Sequence, residues 1–119
     1  MTDLATLDAE LNQTILSGQI LEAFEKFFAE DCVMQENTAE PTVGKAANRQ
    51  RELDFLGAVE QVHGVELGAT AVGDGVTFSE WTFDMTMKGG TRKKLTQVAV
   101  RRWRDGQVVH ERFYYDSAA

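Results

Sequence analysis

The sequence predicts an α+β fold in which three N-terminal helices pack on a strongly curved antiparallel sheet that encloses a pocket. Apolar residues recur at three- and four-residue steps through the first half of the chain, which is the period of an amphipathic helix. After Gly64 the period changes to two, and turn residues divide the remainder into four strands. Helices on one side of such a sheet define the α+β class, and long strands must twist, which leaves room for a cavity.

Two short helices are predicted first. The first starts at Thr2 or Asp3, either of which can cap it, and ends at Ser17-Gly18. Its apolar stripe consists of Leu4, Leu7, Leu11 and Ile15. The second helix follows at once, and its apolar residues share one face: Ile20, Phe24, Phe27 and Phe28. Three aromatic rings on so short a segment indicate a core element.

A short strand over Cys32–Asn37 and a loop over Thr38–Gly44, which holds the only proline, precede the third helix. That helix is predicted from about Lys45 to Val62, with His63-Gly64 closing it. Its apolar side consists of Leu53, Leu56 and Val59, flanked by Phe55 and Val62.

Tight turns separate the remaining strands. Gly73-Asp74-Gly75 is a hairpin turn, Gly89-Gly90 a break and Asp105-Gly106 the strongest hairpin signal in the chain. The strands between them are an alternating segment at 65–71, then Val76–Met87, Leu95–Arg104 and Gln107–Tyr115. The predicted order is therefore α-α-β-α-β-β-β-β, ending in an antiparallel meander.

The composition of the chain indicates its domain organisation and disfavours several classes of function. A chain of 119 residues with 43% hydrophobic and 26% charged residues is expected to form one domain over residues 1–119. The formal net charge of −7 disfavours nucleic acid as a partner. The single cysteine, Cys32, allows no intrachain disulfide. The first residues do not resemble a signal peptide and no apolar run is long enough to span a membrane, so a cytoplasmic location is expected.

Three stretches carry a family resemblance: Gly18–Asn37 (GQILEAFEKFFAEDCVMQEN), Asp105–Val109 (DGQVV) and Glu111–Asp116 (ERFYYD). With the element order, they resemble the SnoaL-like and ketosteroid-isomerase-like branch of the nuclear-transport-factor-2-like superfamily. The resemblance implies a cone-shaped fold around a small-molecule pocket. It also implies homodimerisation through the sheet. No cofactor is expected, because no motif in the sequence would hold one.

The resemblance places the general base of the isomerase-like members, a carboxylate near the end of the first strand, on Glu36. A carboxylate withdrawn from water among apolar neighbours has a raised pKa, which suits it to proton transfer. A solvated Glu, or one paired with an Arg from the sheet, is the alternative.

Two oxyanion donors of the isomerases are missing, because the first helix has no Tyr and the sheet Asp falls near Ala99. The Asp that SnoaL-like cyclases place on the last strand falls at Phe113. Tyr115 or Arg101 would polarise the substrate.

The resemblance also sets a strand register for the pocket wall. It turns Glu80, Thr82, Asp84 and Thr86 inward, and Trp81, Phe83 and Met85 outward, where a homodimer would cover them. The inferred substrate-binding residues are Phe24, Phe28, Phe55, Glu80, Thr82, Asp84, Gln97, Glu111 and Phe113. In the opposite register the apolar side chains of this strand lie in the core, namely Trp81, Phe83, Met85 and Met87, and Glu80 and Asp84 are solvated. The alternation of apolar and polar residues alone favours this second register. Both registers stay open.

Other polar residues have simpler interpretations. Asp116 is interpreted as an N-cap, His63 as a helix C-terminal residue and His110 as a strand-surface residue. No metal-ligand spacing occurs, so no metal site is predicted. The sequence thus predicts a cofactor-independent isomerase, cyclase or hydratase acting on a small apolar organic molecule. A non-catalytic ligand-binding module and a dimerisation module are the alternatives.

Overall fold

The computed structural model describes residues 3–118, which form three helices and six strands. The helices are α1 (Leu4–Leu16), α2 (Ile20–Phe27) and α3 (Lys45–Ala58). The strands are β1 (Phe28–Glu36), β2 (Thr42–Val43), β3 (Val59–Val72), β4 (Val76–Met87), β5 (Arg92–Arg104) and β6 (Gln107–Tyr115). None of these helices, within the part of the chain described, is long and apolar enough to cross a membrane.

The six strands form one curved sheet in the order β2-β1-β6-β5-β4-β3. The predicted α+β class and the antiparallel meander from β3 to β6 are confirmed. The expectation of a wholly antiparallel sheet is wrong at one place, because β1 pairs with β6 in parallel. No hairpin joins these two strands, since the whole intervening chain lies between them, so turn geometry does not impose an antiparallel pairing.

The third helix is shorter than predicted, and β3 begins at Val59. β-Branched side chains at Val59, Val62 and Val65 favour an extended backbone, and pairing with β4 stabilises it. The assignment of His63 to a helix end is therefore wrong. His63 lies in β3, and its Nε2 is 2.6 Å from Oγ1 of Thr86. The predicted loop between β1 and α3 also contains β2, which pairs with β1.

Local hydrogen bonds fix the start of α1 and the turn that follows β6. Asp3 caps α1 as predicted, accepting a hydrogen bond from the Thr6 amide over 2.8 Å. Thr2, the other candidate cap, lies outside the described residues. Asp116 does not cap a helix, because none follows it up to residue 118. Its Oδ1 instead accepts a hydrogen bond from the Ala118 amide in a turn.

The main core lies where α1 and α2 meet β1, β5 and β6. Phe24 and Phe28 pack there with ring centroids 5.0 Å apart, beside Leu11, Cys32 and Val108. Both aromatic side chains are almost fully buried, so they support the fold from within the core and do not form the pocket wall that was expected of them.

The register of β4 is the opposite of the one that the resemblance implied. Trp81 and Met85 are only 2% and 3% exposed and face the helices. Glu80, Thr82 and Asp84 alternate with them and therefore point to the outer face of the sheet. Burial of apolar surface explains this result, because the other register would exchange the large apolar row for the acidic one.

Candidate functional site

A cavity of about 280 Å³ lies between the three helices and the concave side of the sheet. The helices line it with Ile15, Ile20, Arg51, Glu52 and Phe55. The sheet lines it with Glu36, Trp81, Phe83, Leu95, Gln97, Arg101, Glu111 and Phe113. Apolar and aromatic walls with a few convergent polar groups are typical of small-molecule sites.

The structure places six of the predicted site residues on the cavity wall: Glu36, Phe55, Gln97, Arg101, Glu111 and Phe113. Glu80, Thr82 and Asp84 do not reach it, because they lie on the outer face, where Asp84 forms an ion pair with Arg92 over 2.9 Å. Tyr115 is not part of the wall but lies beside Glu36. Burial raises the pKa of the Tyr115 phenol, and the negative charge of Glu36 adds to the effect.

Helix α3 presents a polar face to the cavity, which the apolar pattern of the sequence did not predict. The helix is anchored at its start by Asn48, whose buried Nδ2 donates to the carbonyls of Cys32, Thr42 and Gly44. Arg51, Glu52 and Phe55 follow Asn48 at three-, four- and seven-residue steps and so lie on the same face. The expected apolar side is instead exposed, with Leu53 42% and Leu56 38% accessible.

Glu36 lies at the rim of the cavity in an ion pair. Arg51 Nη2 approaches Glu36 Oε2 to 3.2 Å, and the two side chains are 30% and 46% exposed. The expectation that Glu36 is withdrawn from water is therefore wrong. Its partner is an arginine of α3, whereas the alternative considered from sequence was an arginine of the sheet.

Glu52 is a carboxylate of the cavity wall whose pKa is raised into the neutral range. It is partly buried, and burial raises its pKa from 4.5 to about 7. The negative charges of Glu111 and Glu36 raise it further, while Arg51 acts in the opposite direction. A carboxyl group with this pKa exists in both protonation states near neutral pH, so it can donate and accept a proton there.

Arg101 and Glu111 form the polar floor of the cavity. Arg101 Nε donates to Glu111 Oε2 over 2.7 Å, and Nη1 donates to Asp8 Oδ1 over 2.8 Å. A third acceptor, Asn12 Oδ1, lies 2.6 Å from Nη1. Burial raises the pKa of Glu111, opposed by the charge of Arg101. Since Arg101 is held by three buried partners, it fixes the geometry of the floor.

The side chains at this site include groups that can take part in acid/base chemistry. Within residues 3–118 no group of three or more His, Cys, Asp and Glu side chains has the geometry to hold a metal ion. The groups that line the cavity are carboxylates, guanidinium groups, an amide and aromatic rings, which supply proton transfer and binding.

Comparison with known proteins identifies the domain. The family model of the SnoaL-like domain matches residues 5–115. A structure from Mesorhizobium loti, provisionally assigned as a SnoaL-like polyketide cyclase, is 25% identical with a TM-score of 0.87, covering 96% of this chain and 100% of that one. No curated protein matches.

Two further structures share the fold at lower identity. A nuclear-transport-factor-2-like protein of unknown function from Burkholderia pseudomallei is 14% identical with a TM-score of 0.83, covering 99% of this chain and 94% of that one. A provisionally assigned isomerase from Bacillus subtilis is 17% identical with a TM-score of 0.82, covering 98% and 91%. The family resemblance of the sequence is confirmed.

Proposed function

Because the chain belongs to the SnoaL-like family, we propose that it is a cofactor-independent enzyme that moves a proton on a small, largely apolar organic substrate, as an isomerase, cyclase or hydratase. One observation carries the proposal: the cavity brings the partly buried carboxyl group of Glu52 against apolar and aromatic walls. The provisional assignments of the Mesorhizobium and Bacillus proteins as a cyclase and an isomerase support the same reaction class.

In this proposal Glu52 is the general acid/base. Its perturbed pKa supports this role because catalysis by proton transfer is most efficient when the pKa lies near the working pH. Glu36 remains the second candidate for the base. Its pairing with Arg51 at the rim makes it better suited to orienting a polar group of the substrate. Arg101 would act indirectly, by holding Glu111 at the floor.

The proposal can be tested with a substrate that needs only a base in an apolar cavity. In 5-nitrobenzisoxazole a base removes the proton from carbon 3 while the N–O bond breaks, which gives a coloured 2-cyano-4-nitrophenolate. The wild-type protein should catalyse this elimination, and Glu52→Gln should lower the rate by about 100-fold or more. The rate should rise with pH to a plateau, with a midpoint at about 7.

Two matched variants make the result specific. Glu36→Gln should keep most of the activity, and Glu66→Gln, which changes a carboxylate on the outer face, should keep all of it. If Glu36→Gln alone abolished the elimination, Glu36 would be the base and the assignment to Glu52 would fail. Wild-type protein without any rate above that of free carboxylate in solution would contradict the enzyme proposal.

A non-catalytic ligand-binding module is the second candidate. The observation in its favour is that Arg101 at the floor forms buried ion pairs with both Glu111 and Asp8, an arrangement that is typical of a structural role. Under this alternative, small apolar ligands would raise the melting temperature of the protein, and Glu52→Gln would leave that rise unchanged.

Homodimerisation and a cytoplasmic location remain proposals. The residues once expected to form the dimer face, Trp81, Phe83 and Met85, point inward. An outer-face dimer would instead use Phe78 and Tyr114, which are 38% and 44% exposed. Sedimentation of wild type and Phe78→Glu would test this proposal, since a sheet-mediated dimer should dissociate in the variant.

A further inference from the structure

The charges around the cavity do not balance. Two guanidinium groups, Arg51 and Arg101, belong to the wall, together with three carboxylates, Glu36, Glu52 and Glu111. A fourth carboxylate, Asp8, lies directly behind Arg101 and is bound to it. With Glu52 ionised, carboxylates exceed cations by two at this place.

Both cations are already engaged by protein carboxylates. Arg101 is 2% exposed and holds Asp8 and Glu111, so one positive charge is shared by two negative ones. Arg51 is paired with Glu36. An anionic ligand would therefore have to compete with these carboxylates and would add to the excess negative charge.

Two carboxylates of the cavity wall, in contrast, remain available to bind a cationic ligand. Glu111 is 4% exposed, and its Oε2 accepts the hydrogen bond from Arg101 Nε. In the hydrogen bonds of residues 3–118 the Glu111 side chain takes part through Oε2 only, and the residue belongs to the cavity wall. Glu52 on α3 makes no ion pair within the same range. A carboxylate at the cavity wall that has an oxygen free to accept a hydrogen bond is stabilised by a ligand that brings a donor.

The walls are suited to the alkyl groups of a cation. Trp81 and Phe83 lie stacked with centroids 5.8 Å apart, and Phe55 and Phe113 complete an aromatic lining. The negative face of an aromatic ring attracts ammonium groups, most strongly where water is excluded. The formal net charge of the chain, −7, favours the approach of a cation from solution.

We propose that the cavity selects a small organic cation, an alkylamine in its protonated form or a quaternary ammonium, with its nitrogen against Glu52 and Glu111 and its alkyl groups on Trp81 and Phe83. This inference rests on the cavity of the proposed function and names the chemical class of its substrate. A neutral molecule of the same shape would keep the wall contacts and lose the charge attraction.

Cation binding is linked to the ionisation of Glu52. The charged groups around this carboxyl are Arg51 on α3, Glu36 on β1, Glu111 on β6 and Arg101 on β5, with the Tyr115 phenol beside Glu36. Because a bound cation favours the ionised form, Glu52 must lose its proton for tight binding. Affinity should therefore increase as the pH rises through about 7.

The test compares three probes of nearly equal shape and different charge: choline, neutral 3,3-dimethylbutan-1-ol and anionic 3,3-dimethylbutanoate. Isothermal titration calorimetry at pH 8 should show choline binding at least about tenfold more tightly than the alcohol, and no binding of the anion. Between pH 8 and pH 6 the affinity for choline should fall about tenfold, while that for the alcohol stays constant. Equal affinity for choline and the alcohol at pH 8 would overturn the inference, as would failure of all three to bind.

Variants separate this inference from the proposed catalysis. Glu52→Gln should weaken choline binding about tenfold and abolish its pH dependence, whereas binding of the alcohol, which reports an intact cavity, should persist. Glu66→Gln on the outer face should change neither. If the benzisoxazole elimination depends on Glu52 but choline gains nothing over the alcohol, the proposed function stands and the cation inference fails. If choline binds selectively but no elimination occurs, the cation inference stands and the proposed function fails.

Discussion

Arg101 on β5 donates a hydrogen bond from Nη1 to Oδ1 of Asp8 on α1 over 2.8 Å, and both side chains are buried. The same Asp8 oxygen accepts from Thr77 Oγ1 over 2.9 Å, and Thr77 in turn accepts from Trp103 Nε1. This contact joins the first helix of the chain to the sheet at the cavity floor. The position of the floor residues therefore depends on the packing of α1.

Breaking this buried ion pair should destabilise the protein strongly. We expect Asp8→Ala to lower the free energy of unfolding by about 3–5 kcal/mol, because the guanidinium of Arg101 is then left with one carboxylate fewer in a buried site. Urea denaturation followed by circular dichroism measures the change. The exposed pair of Arg104 and Asp31 is the control, and Asp31→Ala should have no measurable effect. Similar losses in the two variants would contradict the structural role of Asp8.

The register of β4 can be tested by truncating adjacent residues. Trp81→Ala should cost about 3–5 kcal/mol, because Trp81 is 2% exposed against the helices. Thr82→Ala, on the outer face, should cost less than about 1 kcal/mol. Both values come from chemical denaturation. Should Thr82→Ala be the more damaging change, Thr82 and not Trp81 would face the helices.

Lys45 stabilises the junction between α2 and β1. Its Nζ donates to the carbonyl oxygens of Glu25 and Phe28 over 2.9 and 2.7 Å, at the end of α2, where a cation is favourable. Replacing it by Met keeps the chain length and removes the donors, so Lys45→Met should lower the free energy of unfolding by about 1–3 kcal/mol. Lys88→Met, in an exposed turn, should not change it. Equal melting curves for wild type and Lys45→Met would show that the contact contributes nothing.

Glu52 should make stability depend on pH. Its pKa is raised in the folded state to about 7, so the folded chain holds this proton more tightly than the unfolded chain does. The free energy of unfolding should therefore fall as the pH rises from about 4.5 to 7, and this contribution should be constant above 7. Relative to Glu52→Gln, wild type should lose about 3 kcal/mol between pH 4 and pH 8. A constant difference between the two proteins over this range would contradict the perturbed carboxyl.

How far the sequence predicts this molecule depends on which forces set each feature. The α+β class, β4 and β6 follow from period and turn residues, which act locally. Their prediction succeeds because Gly73-Asp74-Gly75 and Asp105-Gly106 are typical hairpin-turn sequences, which define where the adjacent strands end. The end of α3 was missed because Val59 and Val62 fit a helical stripe as well as a strand, and pairing with β4 decides between them.

Only part of the candidate site could be predicted from the sequence. The sheet residues Gln97, Arg101, Glu111 and Phe113 reach the cavity as expected, since their alternation is consistent across β5 and β6. Glu80 and Asp84 were misplaced because they were assigned from the register that the resemblance implies, whereas simple alternation on β4 favours the opposite one. Glu52 was missed because Leu53 and Leu56 suggested the wrong face of α3. The spacing of Asn48, Arg51, Glu52 and Phe55 was the available signal, since polar residues at helical steps can mark a face turned to a cavity.

Titration of the Glu52 carboxyl tests the central claim most directly. Carbon-13 NMR of protein labelled at the glutamate side-chain carboxyl would follow each resonance with pH, and the signal missing in Glu52→Gln identifies the residue. A midpoint at about pH 7 is the predicted result, which would place an acid/base group at the cavity. A midpoint at the ordinary value near 4.5 would contradict the account, because Glu52 would then be fully ionised at neutral pH and unable to donate a proton there.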